Sequence, residues 1–507
     1  MHQRGKKRLR GRGDAGKSQR SARLQTLGNG MRRGSFGQIS EQIARRPVCC
    51  ILRQAGEPSQ RIIPSSSCGR PAPPLSLTAA GSSAQFTEVT ASELLILLPF
   101  VLLLGAMATA PVFAPRWWLR HYAKVALGLG AVTTGYYLLV RHDAHSLAEA
   151  AHEYLGFIAL VGSLFVVSGG IHIGVKGEFT PLKNVGFLLA GALIANVLGT
   201  TGAAMLLIRP WIRLNQSRVS AHHIVFFIFL VANAGGCLTP IGDPPLFLGF
   251  LQGIPFWWVA ANCWPMWLLG VGLLLAIFYV VDQKNFRRAP RPPPGPKMER
   301  GTWQIAGLSN LFFLAVILGA VFVEKPPFLR EGLMLAAAAG SYFTTKKTVH
   351  IANQFDFHPV QEVAILFAGI FTTMIPALGW LDHGSQALLG QQPGPGIFYW
   401  GTGVLSSALD NAPTYLGFLS ALHGSAGAET LASLLTTHTR HLLAISIAAV
   451  FFGGATYIGN GPNFMVKAIA EQNQVRVPTF IEFILKFSLP FLLPVLVVIW
   501  LIFFRAN

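Results

Sequence analysis

From Leu94 onward the chain is a succession of apolar runs free of charged side chains, and nothing else in it restricts the fold as much. The runs are 94–114, 125–140, 154–173, 256–281, 304–323, 363–381, 442–466 and 487–504, with 222–251 interrupted only by Asp243. A bilayer is crossed by about 20 apolar residues in a helix, and helices satisfy their own backbone polar groups in lipid. Only 12% of the 507 residues are Asp, Glu, Lys or Arg, against about 25% in a soluble domain. The expected class is an all-α polytopic membrane protein. This excludes a soluble enzyme, a disulfide-rich module and a coiled coil. The five cysteines, Cys49, Cys50, Cys68, Cys237 and Cys263, show no zinc or disulfide spacing.

A weaker run, 328–345, carries Arg330 and Glu331 at one end, where both are expected to snorkel. It brings the expected spans to ten. Two further apolar stretches, 184–208 and 397–422, have arms of a length suited to re-entrant hairpins. Charge placement supports that reading. With both as hairpins, the loops 115–124, 174–183, 209–221, 282–303, 344–358 and 467–478 fall on one side and hold 18 Lys/Arg. The loops 141–153, 253–255, 324–332, 381–396, 421–441 and the C-terminus fall on the other and hold 5. The positive-inside rule makes the first set cytoplasmic.

The pattern three spans, hairpin, two spans then occurs twice in opposite orientation. The expected domains are a basic tail 1–90, a first membrane repeat 91–282, a Pro/Arg-rich cytoplasmic linker 283–303, and a second, inverted repeat 304–507. Glu153-Tyr154 and Glu362-Val363 open corresponding spans. The motif starting Gly235-Gly236 and ending Pro245 matches that starting Gly453-Gly454 and ending Pro462, with a one-residue gap.

Four segments break the apolar pattern with Gly, Pro and amides. They are Asn196 to Gly202 at the first hairpin tip, and Asn233 to Pro245 in the next span. The other two are Ser406 to Thr414 at the second tip, and Gly453 to Asn463 in the span after it. Unwound backbone at membrane depth occurs where it is buried in protein or lines a wet cavity. Paired broken helices point to a transport site at the midplane. The candidate ligands are Asp243, Asp410, Asn196, Thr200, Thr201, Asn233, Thr239, Asn411, Thr414, Thr456, Asn460 and Asn463. A carboxylate deep in a membrane marks an ion site or proton relay by default. Burial favours its protonated form and a bound cation its ionised form, so Asp243 and Asp410 are expected to hold a proton or Na⁺ in turn. Oxygen ligands suit such a hard cation. His222 and His223 read as interfacial, and Thr133 and Thr134 carry no assignment.

This arrangement resembles the ion transporter superfamily, which embraces sodium/proton antiporters, citrate and dicarboxylate carriers and arsenite permeases. The segments Ser407 to Thr414 and Asn233 to Asp243 look like motifs of its sodium/proton antiporter branch. The resemblance covers residues 94–505. It implies a secondary transporter exchanging a monovalent cation for protons, and a homodimer. One departure is that Thr200 stands where the second half offers Asp410.

The alternative within this fold is a citrate- or dicarboxylate-type carrier. No Lys or Arg lies in the four broken segments, which favours a cation. An intramembrane aspartyl protease also needs two aspartates, but the Pro240-Ile-Gly-Asp243 turn lacks its Gly-x-Gly-Asp pattern. No nucleotide-binding motif indicates a primary pump. Na⁺ and H⁺ are the expected cargo, with no cofactor and no enzymatic activity. The partners are the lipid bilayer and a small cation, and the location is the cell (inner) membrane.

The tail holds 16 Lys/Arg and three acids in residues 1–70. Binding to nucleic acid and a transit peptide are weaker readings than a disordered, dispensable extension. The topology places this tail outside, against the positive-inside rule, so it is expected to contribute nothing to transport.

Overall fold

The computed structural model describes residues 91–175, 179–288, 303–323, 325–390, 393–426 and 431–505. The basic tail and most of the 283–303 linker lie outside them. Among the described residues, six helices are long and apolar enough to cross a bilayer, and Ala221–Gly236, Asn310–Ala320 and Thr439–Gly453 are shorter apolar helices. The protein is an all-α polytopic membrane protein. α1 (Ala91–Phe113) turns Leu95, Leu98, Val101 and Leu102 outward, an arrangement lipid tolerates and water does not.

After α1 come α2 (Pro115–Leu139), α3 (Ala144–Gly169) and α4 (Pro181–Leu214). α4 is long enough to span, yet it does not. Its backbone reverses at Gly199, with φ 72° and ψ 158°. That is a left-handed φ that only glycine adopts cheaply. Phe179 N donates to Leu214 O at 3.1 Å and Asn184 Nδ2 to Asn215 Oδ1 at 2.8 Å. The ends of a straight helix of that length would lie about 50 Å apart. The stretch is a hairpin.

The next span is broken. α5 (Ala221–Leu230) ends before an unwound stretch, and α6 (Pro244–Leu251) restarts with Asp243 as N-cap. α7 (Phe256–Arg288) completes this half. The second half runs α8 (Asn310–Ala320), α9 (Leu329–Thr344), the short α10 (Lys347–Ala352) and α11 (His358–Leu389). α12 (Pro395–Ala408) and α13 (Asn411–Ala426) fold back on each other, bringing the Phe398 and Phe418 rings to 6.4 Å. α14 (Leu431–Thr437) and α15 (Thr439–Gly453) precede a second break, after which α16 (Gly461–Gln472) restarts with Asn460 as N-cap. α17 (Phe480–Phe504) closes the chain, with π-helical stretches at Ile484–Leu492 and Trp500–Phe504.

Three features of the fold differ from the sequence reading. Residues 172–175 and 303–306, read as span ends with the adjoining loop residues, form an antiparallel two-stranded sheet, β1 (His172–Val175) with β2 (Trp303–Ala306), with Ile173 opposite Ile305. Four-residue strands leave no periodic signal. The run 304–323 therefore yields a helix of only 11 residues. Arg330 and Glu331 pair with each other at 2.7 Å, and their side chains are 15% and 8% exposed, so they do not snorkel.

Hydrogen bonds sort the loops. β1 pairs with β2, Asn353 Nδ2 donates to Gly169 O and Ile171 O, and Asn285 Nδ2 donates to Arg218 O. Four of the six basic loops thus meet at one end of α3. At its other end Gln252 Nε2 donates to Glu153. α11 leaves the basic-loop end and finishes 32 residues later beside the base of the second hairpin, where Gln386 donates to Gly424 O. The two hairpins therefore enter from opposite ends.

Candidate functional site

Both hairpin tips and both broken helices converge on one carboxylate. Asp243 is fully buried. Its Oδ1 accepts from Thr200 Oγ1 at 2.7 Å and Asn460 Nδ2 at 3.0 Å, and its Oδ2 accepts from Asn411 Nδ2 at 2.6 Å. One of the four segments marked in the sequence carries the carboxylate, and each of the other three supplies a partner.

Each segment reaches this point through a break that its residues enforce. Thr239 Oγ1 donates to Asn196 O at 2.6 Å and accepts from Gly242 N at 3.1 Å. Thr456 Oγ1 donates to Ser407 O at 2.6 Å and accepts from Gly459 N at 3.1 Å. Each hydroxyl ties an unwound loop to the hairpin tip beside it. The loops close so tightly that a Cβ on Gly236 would lie 2.6 Å from Gly242 O, and one on Gly459 the same distance from Gly453 O. Only glycine fits.

These contacts correct the internal alignment. Thr239 corresponds to Thr456, Gly242 to Gly459 and Asp243 to Asn460, so Gly236, not Gly235, matches Gly453 and no gap is needed. By the same register Thr200 corresponds to Asn411, which also bonds Asp243, and Asp410 takes the place of Gly199. The departure read as Thr200 against Asp410 is therefore Thr200 against Asn411.

The remaining candidates divide by role. Asn233 Nδ2 donates to Asn463 Oδ1 at 2.7 Å, and Asn460 Nδ2 also reaches Asn233 Oδ1 at 3.2 Å. This buried amide chain joins the two broken helices. Asn463 Nδ2 donates to Gly453 O and Thr456 O, securing the second break. Asn196 secures the first, donating to Gly235 O and accepting from Leu238 N. Thr201 lines a small cavity of about 20 Å³ with Thr200, Gly242 and Asp243, room for one water or a bare cation.

Asp410 stands apart. It is half-buried, its Oδ1 accepts from Ala412 N at 3.1 Å, and Thr414 Oγ1 donates to its backbone O. Neither bond reaches Asp243. Asp410 caps the second tip, whereas Asp243 is the hub.

The groups bonded to Asp243 are polar and uncharged, with Asp410 a second carboxylate near enough to act on it electrostatically. Asp243 and Asn460 are N-caps, and Thr200 and Asn411 begin the returning arms, so four helix N-termini face the carboxylate. Their partial positive charge favours an anion there. Among the described residues no Lys or Arg is bonded to it. Asn411 Oδ1 is buried with no hydrogen-bond partner. With Asp243 ionised and therefore acceptor-only, Nδ2 donates to it and Asn411 Oδ1 is left as an unused ligand.

The sequence missed two kinds of residue. Trp267 Nε1 donates to Gly235 O at 3.1 Å, sharing that carbonyl with Asn196. A Trp inside an apolar run gives no signal of such a role. His222 and His223, read as interfacial, are buried against Asp282.

Compared with known families, residues 89–504 match the model of a citrate-transport family. The chain belongs to that family. No curated protein matches the sequence. The chain is thus a multi-pass membrane transporter of the citrate/ion permease type, and the match begins shortly before the first apolar run. In this citrate-transport family member the four broken segments all lie inside the matched region.

Proposed function

We propose that the protein is a secondary antiporter exchanging Na⁺ or a similar monovalent cation for protons at Asp243, in a cell membrane. The reading rests on one observation: a fully buried carboxylate, bonded only by neutral groups, beside the unused Asn411 Oδ1. An uncompensated buried charge costs several kcal/mol. The carboxylate is therefore neutralised either by a proton or by a cation. A site that holds one or the other, but not both, exchanges them. Asn411 Oδ1, the Thr200 hydroxyl and backbone carbonyls freed at the breaks complete an oxygen shell for the cation. In this reading the two halves, 91–282 and 304–507, are inverted repeats that rock about the site, with the basic loops facing the cytoplasm.

A second reading is carriage of a citrate-like carboxylate. The family description and the four converging helix N-termini favour it, since such termini attract anionic groups. Against it, Asp243 already occupies that potential, so the substrate anion needs a cation bound first.

Proton flux in proteoliposomes decides between them. Antiport predicts proton release driven by Na⁺ without citrate and lost in Asp243→Asn. Flux that appears only with citrate overturns it in favour of the second reading.

A further inference from the structure

Among the described residues, a close group of titratable side chains outside this site, His222, His223 and Asp282, lies at the base of the first hairpin. Asp282 Oδ1, on α7, accepts from Arg218 Nη1 and lies 3.2 Å from His222 Nε2 and 3.1 Å from His223 Nε2. Its Oδ2 accepts from Asn184 Nδ2 at 2.9 Å and Arg218 Nη2 at 3.1 Å. Asn184 also bonds Asn215, and Arg218 Nη2 donates to Phe179 O at 3.0 Å. One carboxylate therefore ties together both ends of the hairpin, the 215–220 loop, the start of α5 and the end of α7.

Two histidines and a carboxylate this close suggest a metal site, but the proton positions exclude it. Ser220 N–H donates to His223 Nδ1 at 3.3 Å. That nitrogen is an acceptor, so in the neutral ring the proton sits on Nε2 and is given to Asp282. No lone pair remains there for a metal, and Arg218 already neutralises the carboxylate.

The histidines are not equivalent. A second proton on His223 would set Nδ1–H against Ser220 N–H. His222 Nδ1 instead faces Ser220 Oγ at 2.7 Å. A hydroxyl donates or accepts by rotating; Ser220 Oγ also accepts from the His223 backbone N–H and lies 3.4 Å from His223 Nδ1. His222 alone takes a proton without displacing anything. Doing so leaves two cations on one buried carboxylate. Arg218 is the group that yields: its side chain is 5% exposed, but it sits on a loop whose Gln216 and Ser217 are exposed, with its guanidinium 5.1 Å over the Phe286 ring.

The charged groups bonded to His222 and Asp282 are Arg218 and His223. α4 contributes the neutral Asn184, Asn215 and Trp211. α16 and α17 also pack on α5, and their ion pairs, Lys467–Glu471 and Lys486–Glu482, are closed within each helix.

We propose that His222 is a regulatory proton-binding site, distinct from the transport site. When it takes a proton, Arg218 releases Asp282 and the base of the first hairpin loosens. The hairpin that carries Thr200 to Asp243 is then held rigidly while His222 is neutral and loosely once it is protonated.

The test needs no transport assay, so it stands apart from the antiport reading. A nitroxide is placed at Ser217→Cys, with Cys49, Cys50 and Cys68 replaced by Ser, and the full chain is held in lipid nanodiscs. Between pH 8.0 and 5.5 the label is expected to change from mainly immobile to mainly mobile in one step. His222→Gln should stay immobile at both pH values, His223→Gln should keep the step, and Arg218→Gln should be mobile throughout. Identical spectra at both pH values with His222 intact overturn the proposal. So does a step that survives His222→Gln or disappears in His223→Gln.

Discussion

Thr200 and Asn411, the first residues after the two hairpin reversals, donate to opposite oxygens of the same carboxylate, at 2.7 and 2.6 Å from Asp243 Oδ1 and Oδ2. The hairpins come from opposite ends of the molecule, so Asp243 joins them across its middle. Ionised, the carboxylate accepts from both. Protonated, it gives up part of that acceptor capacity and becomes a donor itself. In the proposed antiport, that change in one side chain is the link between loading and movement of both hairpins.

Replacing Asp243 by Asn removes the charge and keeps the shape. The expected outcome is cation-driven proton flux at the background of empty liposomes, with the protein still folded, since removing a buried charge relieves a desolvation cost. Asp410→Asn should be milder. Asn preserves the acceptor for Ala412 N, so only the charge of a residue that shares no hydrogen bond with Asp243 is lost. Flux ratios for the two variants in proteoliposomes at equal protein check the order, and equal loss in both removes Asp243's status as the hub.

Asn411→Ala deletes one charge-assisted hydrogen bond and the unused oxygen together. Such a bond contributes about 1.5–3 kcal/mol, or roughly 10- to 100-fold in affinity. The half-saturating cation concentration should rise by about that factor with the maximal rate less affected. Thr200→Ala should give a smaller rise, because it deletes one bond and leaves Asn411 in place. Concentration series for each variant measure this directly.

The breaks were legible because they are made of Gly and Pro within apolar runs, and a buried Asp in such a break has few other meanings. The convergence of all four segments was implied by duplication alone. What could not be read was register. Asp410 is the more conspicuous residue at the second tip, yet Asn411 beside it makes the contact, because the reversal places Asp410 where the first half has Gly199. The His222–Asp282 contact was also hidden. Its partners are 60 residues apart, and Asp282 reads as the ordinary charged end of a span. The sheet of β1 and β2 was too short to show.

Packing at the breaks makes a sharp stability prediction. A Cβ on Gly459 would sit 2.6 Å from Gly453 O and 2.7 Å from Ser406 O, both backbone atoms that cannot swing aside. Two residues on, a Cβ on Gly461 meets nothing within 4 Å. Gly459→Ala should therefore destabilise by about 2–4 kcal/mol, within the range of severe overpacking, while Gly461→Ala should be near neutral. Thermal unfolding of both variants in one detergent compares them. Equal melting temperatures would contradict the tight loop closure.

Topology can be tested where side chains are accessible. Arg213 and Gln216, at the base of the first hairpin, and Gln386, beside the second, are exposed, whereas Ser385 is buried and unsuited to labelling. Single cysteines at 216 and 386 in a chain without other reactive thiols should label from opposite faces, 216 from the cytoplasm. Labelling of 180 and 216 from opposite faces would mean that α4 spans, in conflict with the bond between Asn184 and Asn215.

The tail supplies the last prediction. If loop 115–124, with Arg116, Arg120 and Lys124, is cytoplasmic, the first span places its N-terminal end outside, together with the 16 Lys/Arg of residues 1–70. That opposes the positive-inside rule, which acts on basic residues close to a span. The family match starts at residue 89, and none of the four site segments involves the tail. A chain beginning at Ser82 with an added initiator Met should therefore insert in the same orientation and transport at the rate of the full chain. Two measurements at equal expression check it: cysteine labelling at 216, and proton flux in vesicles. Loss of insertion in the shortened chain would show that the basic stretch guides the first span, and loss of flux with normal insertion would give the tail a part in transport.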